Sequence, residues 1–270
     1  MPIECPPNAH RMPTECQLNA NRMPIECQLN AHRMPTERPN LSQVIILLMM
    51  KKITTFTTMI DFSKPPVYTT VYFGPISYYA HIVKHQEIII EAHENYNKQT
   101  YRNRCGILSA NGPLTLTVPV TKGDKLKTPV REVQIFYETG WQRLHSRAIL
   151  SAYRSAPFFE HYYPEIEEFF NHPYDFLWDL NMGIMKKILE LLEAEIKITL
   201  SGEFISGANY RDYRHYFHPK QKGMTKDRLP EYAQVFASKS GFIPDLSILD
   251  ALFNLGPDTL RYLQKVEITE

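Results

Sequence analysis

The run Glu87-Ile88-Ile89-Ile90-Glu91-Ala92 places the strictest condition on the fold. Three consecutive β-branched residues favour extended chain, and a strand apolar on both sides of its pleat is the kind covered on both faces. That requirement calls for helices on either side of a sheet. The neighbouring segments are compatible with it. VYTTVYF (67–73) is β-branched and aromatic, and Gly74-Pro75 punctuates it. SYYAHIVKH (77–85) has the spacing of a short helix, with Tyr78, Tyr79, Ile82 and Val83 on one side. LTLTVPV (114–120) alternates, with Leu114, Leu116, Val118 and Val120 inward, and Pro119 puts it near a sheet edge because proline has no N–H for a ladder. REVQIFY (131–137) alternates again and predicts a strand with Val133 and Ile135 toward the core.

The period then becomes helical. WQRLHSRAILSAY (141–153) aligns Trp141, Leu144, His145, Ala148, Ile149 and Ala152 on one stripe. Tyr163-Pro164-Glu165 predicts a helix start, with proline at an early position and acids in the first turn. Residues 174–194 form the longest helical pattern, and IKITLS (196–201) reads as a returning strand. Residues 202–240 are polar and tyrosine-rich with little regular pattern. DLSILDALFNLGPDTLRYL predicts two short helices around Gly256-Pro257, with Asp245 as N-cap. Strands, a helical middle and one late strand predict an α/β single domain over 67–265, a mixed central sheet flanked by helices, with α+β as the alternative.

The N-terminus is of another kind. MPIECPPNAHR, MPTECQLNANR and MPIECQLNAHR repeat with an eleven-residue period and hold Cys5, Cys16 and Cys27. Each unit has one or two aliphatics and a proline but no helical or strand period, so it cannot bury a core. Residues 1–48 are expected to be a disordered tract outside the native protein, 49–66 a linker, and Met49, Met50 or Met59 the natural start. The rest of the chain has only Cys105, so no internal disulfide forms there, which fits a reducing, cytoplasmic setting. VIILLMM (44–50) is far short of the roughly 20 apolar residues a membrane span needs. Thirty basic residues against 29 acidic leave a net charge of +1, which argues against a nucleic-acid surface.

Chemistry concentrates in HENYNKQTYRNRC (93–105), between two apolar segments. His93, Glu94, Asn95, Tyr96, Lys98, Gln99, Arg102, Asn103 and Arg104 combine cations with hydrogen-bonding groups. Guanidinium forks suit carboxylate or phosphate, and the position predicts the floor of a pocket at a strand's carboxyl end, where α/β sheets bind ligands. The alternative is a solvated connection. His145 lies on an apolar helix stripe, either as a satisfied core residue or as an acid–base group. YRDYRHYFHPK (210–220) supplies Arg211, Arg214 and His218, read as a loop closing over a ligand. Ser247, Asp250 and Asn254 form a polar stripe on an otherwise apolar helix, which makes Asp250 a general base or an arginine's partner. Tyr153 joins the substrate-binding set. His81/His85 and His215/His218 have helical spacing without an accompanying carboxylate or thiol motif, so no metal is assigned. GxGxxG, Walker, GxSxG and HExxH signatures are absent, and no cofactor is assigned.

HENYNKQTYRNRC, NGPLTLTVPV, WQRLHSRAILSAYRSAPFFEHY and GFIPDLSILDALFNLGP, in this order, resemble the WbqC-like family, over about residues 67–260. The resemblance implies a role in bacterial surface-polysaccharide (O-antigen or lipopolysaccharide) biosynthesis, with acyl or aminoacyl transfer to a nucleotide-linked amino sugar as the inferred reaction. A non-catalytic binding or assembly partner in the same pathway is the alternative. The expected ligand is an anionic small molecule or sugar nucleotide. The resemblance brings no agreed catalytic residues. One departure is the segment after the returning strand, Gly-rich in many relatives and here SGEFISGANYRDYRHYFHPK.

Overall fold

Four short strands, all parallel, make the central sheet of the computed structural model, which describes residues 64–121, 127–206, 209–220 and 229–267. The repeat tract, the linker to residue 63 and the three candidate starts lie outside the described residues. In chain order the elements begin with β1 (Pro66–Tyr68), α1 (Ile76–Ile82), β2 (Glu87–Ile90), β3 (Arg104–Ser109) and β4 (Gly112–Thr117). Helices α2 (Trp141–Tyr153), α3 (Phe159–Asn171) and α4 (Leu177–Leu191) follow, then β5 (Lys197–Leu200), β6 (Arg211–Asp212), α5 (Ala237–Ser240), α6 (Ile248–Leu255) and α7 (Thr259–Lys265). The sheet order is β5-β2-β1-β6, with Val67 opposite Ile89 and Ile88 opposite Ile198. β3 and β4 pair antiparallel as a separate two-stranded sheet. The architecture is α/β, a parallel sheet and an antiparallel sheet flanked by helices, and all described residues belong to one unit.

The isoleucine run forms the expected strand, but only one of its faces is fully covered. Ile88 and Ile90 are fully buried, while Ile89 is half-buried because the sheet face beside it is open. α1 is buried on every side, as an apolar helix must be, and packs against α6 and α7. Its N-terminus is capped from across the molecule: Asp245 Oδ1 accepts from the Ser77 N–H at 2.9 Å. Asp245 therefore does not cap its own helix. Ser247 does, accepting from Leu249 N, and its hydroxyl also donates to the Phe73 carbonyl at 2.7 Å.

Several expectations are corrected. VYTTVYF is a strand only through Tyr68, because the chain then leaves the ladder: Tyr72 N–H bonds the Tyr101 carbonyl and Phe73 takes a positive φ of 40°. REVQIFY is a 3-10 turn (Val130–Glu132) followed by two isolated bridges, although Val133 and Ile135 are buried as expected. The alternation recorded burial, not membership of a sheet. Leu114, in the β3–β4 hairpin, and Leu144, both expected inward, are 40% and 57% exposed. α3 starts at Phe159, so Pro164 lies inside it. β3 starts at Arg104, inside the polar block, where the sequence carries no strand pattern.

Gly256 closes α6 with φ 56°, and a Cβ there would meet three Phe158 ring atoms, the nearest at 2.5 Å. Gly256→Ala should lower stability by about 2–4 kcal/mol through overpacking and left-handed strain. Urea denaturation would measure it.

Candidate functional site

The carboxyl ends of the parallel strands converge on a buried network of acids and arginines. Glu91 follows β2 directly and is fully buried. Its carboxylate accepts from the His93 N–H (2.8 Å), the Ser201 hydroxyl (2.7 Å) and the Ile205 N–H (2.7 Å), and it pairs with Arg214 Nη1 at 3.1 Å. Ser201 and Ile205 come from the exit of β5, and Arg214 from the exit of β6. One carboxylate thus joins three strand ends. Arg214 also forks onto Asp212 (Nε–Oδ1 2.8 Å, Nη2–Oδ2 2.6 Å) and donates to the Ile205 carbonyl. Burial alone would raise the Asp212 carboxyl, but these bonds and the charge of Arg214 outweigh it and hold the carboxyl below its usual range.

Beside this stands a second pair. Arg102 clasps Glu94 through Nε (3.0 Å) and Nη2 (2.7 Å to both oxygens), and the Thr69 hydroxyl donates to the same carboxylate. Both partners are nearly fully buried. Asn181 of α4 donates to the Arg102 carbonyl at 2.7 Å, tying the block to the helical layer. Three carboxylates (Glu91, Glu94, Asp212) therefore meet two guanidinium groups. Both forks are occupied by acids.

The structure brings together Glu94, Arg102, Arg214 and His218, the last lowered below its usual range first by burial, then by Lys220 and Arg102. Asn103 is buried and donates to the Val118 carbonyl, and Arg104 is half-buried at the start of β3. His93, Asn95, Lys98 and Gln99 are exposed, and Tyr96 is half-buried with its hydroxyl pushed up to about 12 by burial. Arg211 sits in β6 with its Nε on the Lys64 carbonyl. Two predicted residues lie in other surroundings. His145 meets the Tyr72 hydroxyl through Nδ1 at 2.8 Å and packs edge-on against Trp141. Asp250, fully buried, accepts from Tyr232 (2.5 Å) and Gln234 (2.9 Å) and borders the Tyr153 hydroxyl, so neutral groups and not an arginine surround its carboxyl among the described residues.

Burial pulls the His145 imidazole down to about 4 against an ordinary 6.5. The unfolded chain then binds the extra proton between these values, so the stability conferred by the neutral ring is complete above pH 6.5 and is lost as pH falls toward 4. Moving from pH 7.5 to 5 should cost about 2 kcal/mol from this residue. His81, lowered to about 3, adds in the same direction. Paired urea titrations of the parent and His145→Gln at the two pH values test this, the variant showing the shallower loss.

Next to the Glu91 network lies a cavity of ≈ 540 Å³ lined by Ile89, Leu200 to Ser206 and Tyr210. Of these residues only Tyr210, the first of the 210–220 loop, belongs to a site segment predicted from the sequence, and Glu91 belongs to none. Glu91 is nevertheless the legible signal, since a carboxylate directly after an apolar strand and buried with it must face donors. Among the described residues no cluster of three or more His, Cys, Asp or Glu is placed to hold a metal, and no helix is long and apolar enough to cross a membrane.

Comparison with known proteins gives two matches and one blank. The chain is 28% identical over 214 residues to the Uncharacterized protein Rv1507c of Mycobacterium tuberculosis (strain ATCC 25618 / H37Rv), an alignment covering 66% of this chain and 89% of that protein. No solved structure matches. A sequence model described as the WbqC-like protein family matches residues 70–216, which span β1's exit, the polar block, the helical layer and the Arg214 loop. The chain belongs to the WbqC-like protein family.

Proposed function

We propose that the protein is a cytoplasmic enzyme of bacterial surface-polysaccharide biosynthesis that binds a sugar-nucleotide precursor at the carboxyl edge of its parallel sheet, with acyl or aminoacyl transfer to the sugar as the reaction. The observation that carries this reading is the convergence of the β2, β5 and β6 exits on one buried polar network beside a ≈ 540 Å³ cavity. Open α/β sheets bind ligands at that edge, and the volume is in the range of small-molecule sites. Among the described residues, Lys98 and the half-buried Arg104 are the cations of the block outside its carboxylate pairs, and they suit a diphosphate better than the occupied forks of Arg102 and Arg214. A thermal-shift screen of the purified protein against sugar nucleotides and acyl donors tests the reading. A bound precursor should stabilise by about 2.7 kcal/mol at a hundredfold excess over its Kd. A flat profile across both classes would remove it.

The burial of His145 and Asp250, 5% and 0% exposed, favours a second reading: a non-catalytic binding or assembly partner of the same pathway. On this view His145→Gln and Asp250→Asn leave complementation of a deletion strain intact, whereas an enzyme using either group loses it.

A further inference from the structure

We propose that the cavity at the end of β5 is a subsite for a hydroxylated ring bearing a protonated amine, of the amino-sugar class, recognised by Phe204 and Glu203. The choice of a sugar ring rests on the reading above. The charge preference rests on the cavity itself.

Its lining is an apolar surface edged by hydroxyls and one carboxylate. Phe204 is 53% exposed, an unusual position for a large aromatic, yet the ring is held: the buried Arg214 guanidinium packs over it at 5.0 Å. A fixed, half-exposed aromatic face matches the C–H face of a pyranose. Ser206 and Tyr210 add hydroxyl groups, and Glu203 an exposed carboxylate, while no Lys or Arg is among the lining residues.

The wall is built before any ligand arrives. Ser201 N bonds the Ile90 carbonyl, the Ser201 hydroxyl and Ile205 N bond Glu91, and the Ile205 carbonyl accepts from Arg214. Glu203 and Phe204 are thus carried on a short segment pinned at both ends, which reduces the ordering cost of binding. The electrostatics of this wall oppose a phosphate. Glu203 is an exposed member of the lining, Glu91 holds the segment that carries it, and the Arg214 guanidinium beside Phe204 is already shared between Glu91 and Asp212. An ammonium is the complementary charge, and a charge-assisted hydrogen bond to Glu203 would orient it. The anionic part of a sugar nucleotide belongs elsewhere along the sheet edge.

The test measures binding of glucosamine, glucose and glucose phosphate to the full chain by calorimetry, below neutral pH where the amine is charged. Glucosamine should bind roughly tenfold more tightly than glucose, and glucose phosphate more weakly than either. Glu203→Gln should erase the preference for the amine while leaving glucose binding unchanged. Phe204→Ala should weaken both neutral and amino sugars about fivefold, and Phe204→Tyr should restore them. Both positions are exposed, so a thermal melt close to the parent's accompanies each variant. Equal affinity for glucosamine and glucose, tightest binding of the phosphate, or no detectable sugar binding would overturn the subsite. Stabilisation by sugar nucleotides that neither variant alters would end the subsite and leave the biosynthetic reading standing. Amine selectivity with no response to sugar nucleotides would do the reverse.

Discussion

Arg102→Ala should destabilise the protein by about 3–5 kcal/mol, the largest loss expected from a single side chain in the polar layer. The guanidinium supplies three hydrogen bonds to Glu94 at 2.7–3.0 Å in a site where the two side chains are 2% and 6% exposed. Removing it strands a carboxylate away from water with only the Thr69 hydroxyl to satisfy it. The dominant effect is the uncompensated charge left behind, and this has a measurable consequence. The double variant Glu94→Leu, Arg102→Met should recover most of the loss, because an apolar pair of similar volume removes the stranded charge. Thermal unfolding reads both, a shift of roughly 6–20 °C for the single change in a domain of this size. A double variant no better than Arg102→Ala would show that the pair stabilises through geometry and not through mutual neutralisation.

Glu91→Ala should cost a similar amount, about 3–5 kcal/mol, and should also disorganise the cavity. Four donors lose their acceptor at once: two backbone N–H groups, the Ser201 hydroxyl and one arm of Arg214. Arg214 keeps Asp212, so that guanidinium is not left without an acid. The cost therefore comes mainly from buried donors that water cannot reach. Since Ser201 and Ile205 bound the segment bearing Glu203 and Phe204, the same change should weaken any ligand of the cavity. The readout that separates the two effects is ligand affinity measured well below the variant's melting temperature. Affinity equal to the parent's would mean that the 201–205 wall keeps its shape without the carboxylate.

These two expectations bear on the mechanism as well as on stability. By sequence the cationic block is a receptor for an anion, with Lys98, Arg102 and Arg104 as its cations. In the folded chain Arg102 and Arg214 are structural cations first, each answering a carboxylate brought to it by a neighbouring strand exit. Lys98 and Arg104 keep the anion-binding assignment within the proposed function, and His93 stays exposed at the same edge, with its backbone on Glu91. His145 and Asp250 are held by Tyr72 and by Tyr232 and Gln234, in surroundings that account for their burial without a reaction. This is why the complementation of His145→Gln and Asp250→Asn separates an enzyme from a binding partner.

Local periodicity was sufficient to determine the long elements from the amino-acid order alone. The stripe from Trp141 to Ala152, the apolar rows of 177–191, the isoleucine strand and its returning partner at 197–200 are each set by contacts within a few residues or by the need to cover an apolar face, and they occur where the pattern places them. The family blocks were equally legible, as was a polar layer near the strand ends. Partner choice was decided only by tertiary structure. Glu91 and Arg214 are 123 residues apart, and Asp245 caps a helix 168 residues upstream. No periodicity carries such pairings, because a buried charge selects whichever counter-group the assembled backbone brings within hydrogen-bonding distance, and many arginines in the chain were eligible. The same reason keeps the cavity out of the sequence pattern: its lining comes from an irregular segment whose shape is imposed from behind by Glu91 and Arg214, through bonds that exist only after the strands have aligned.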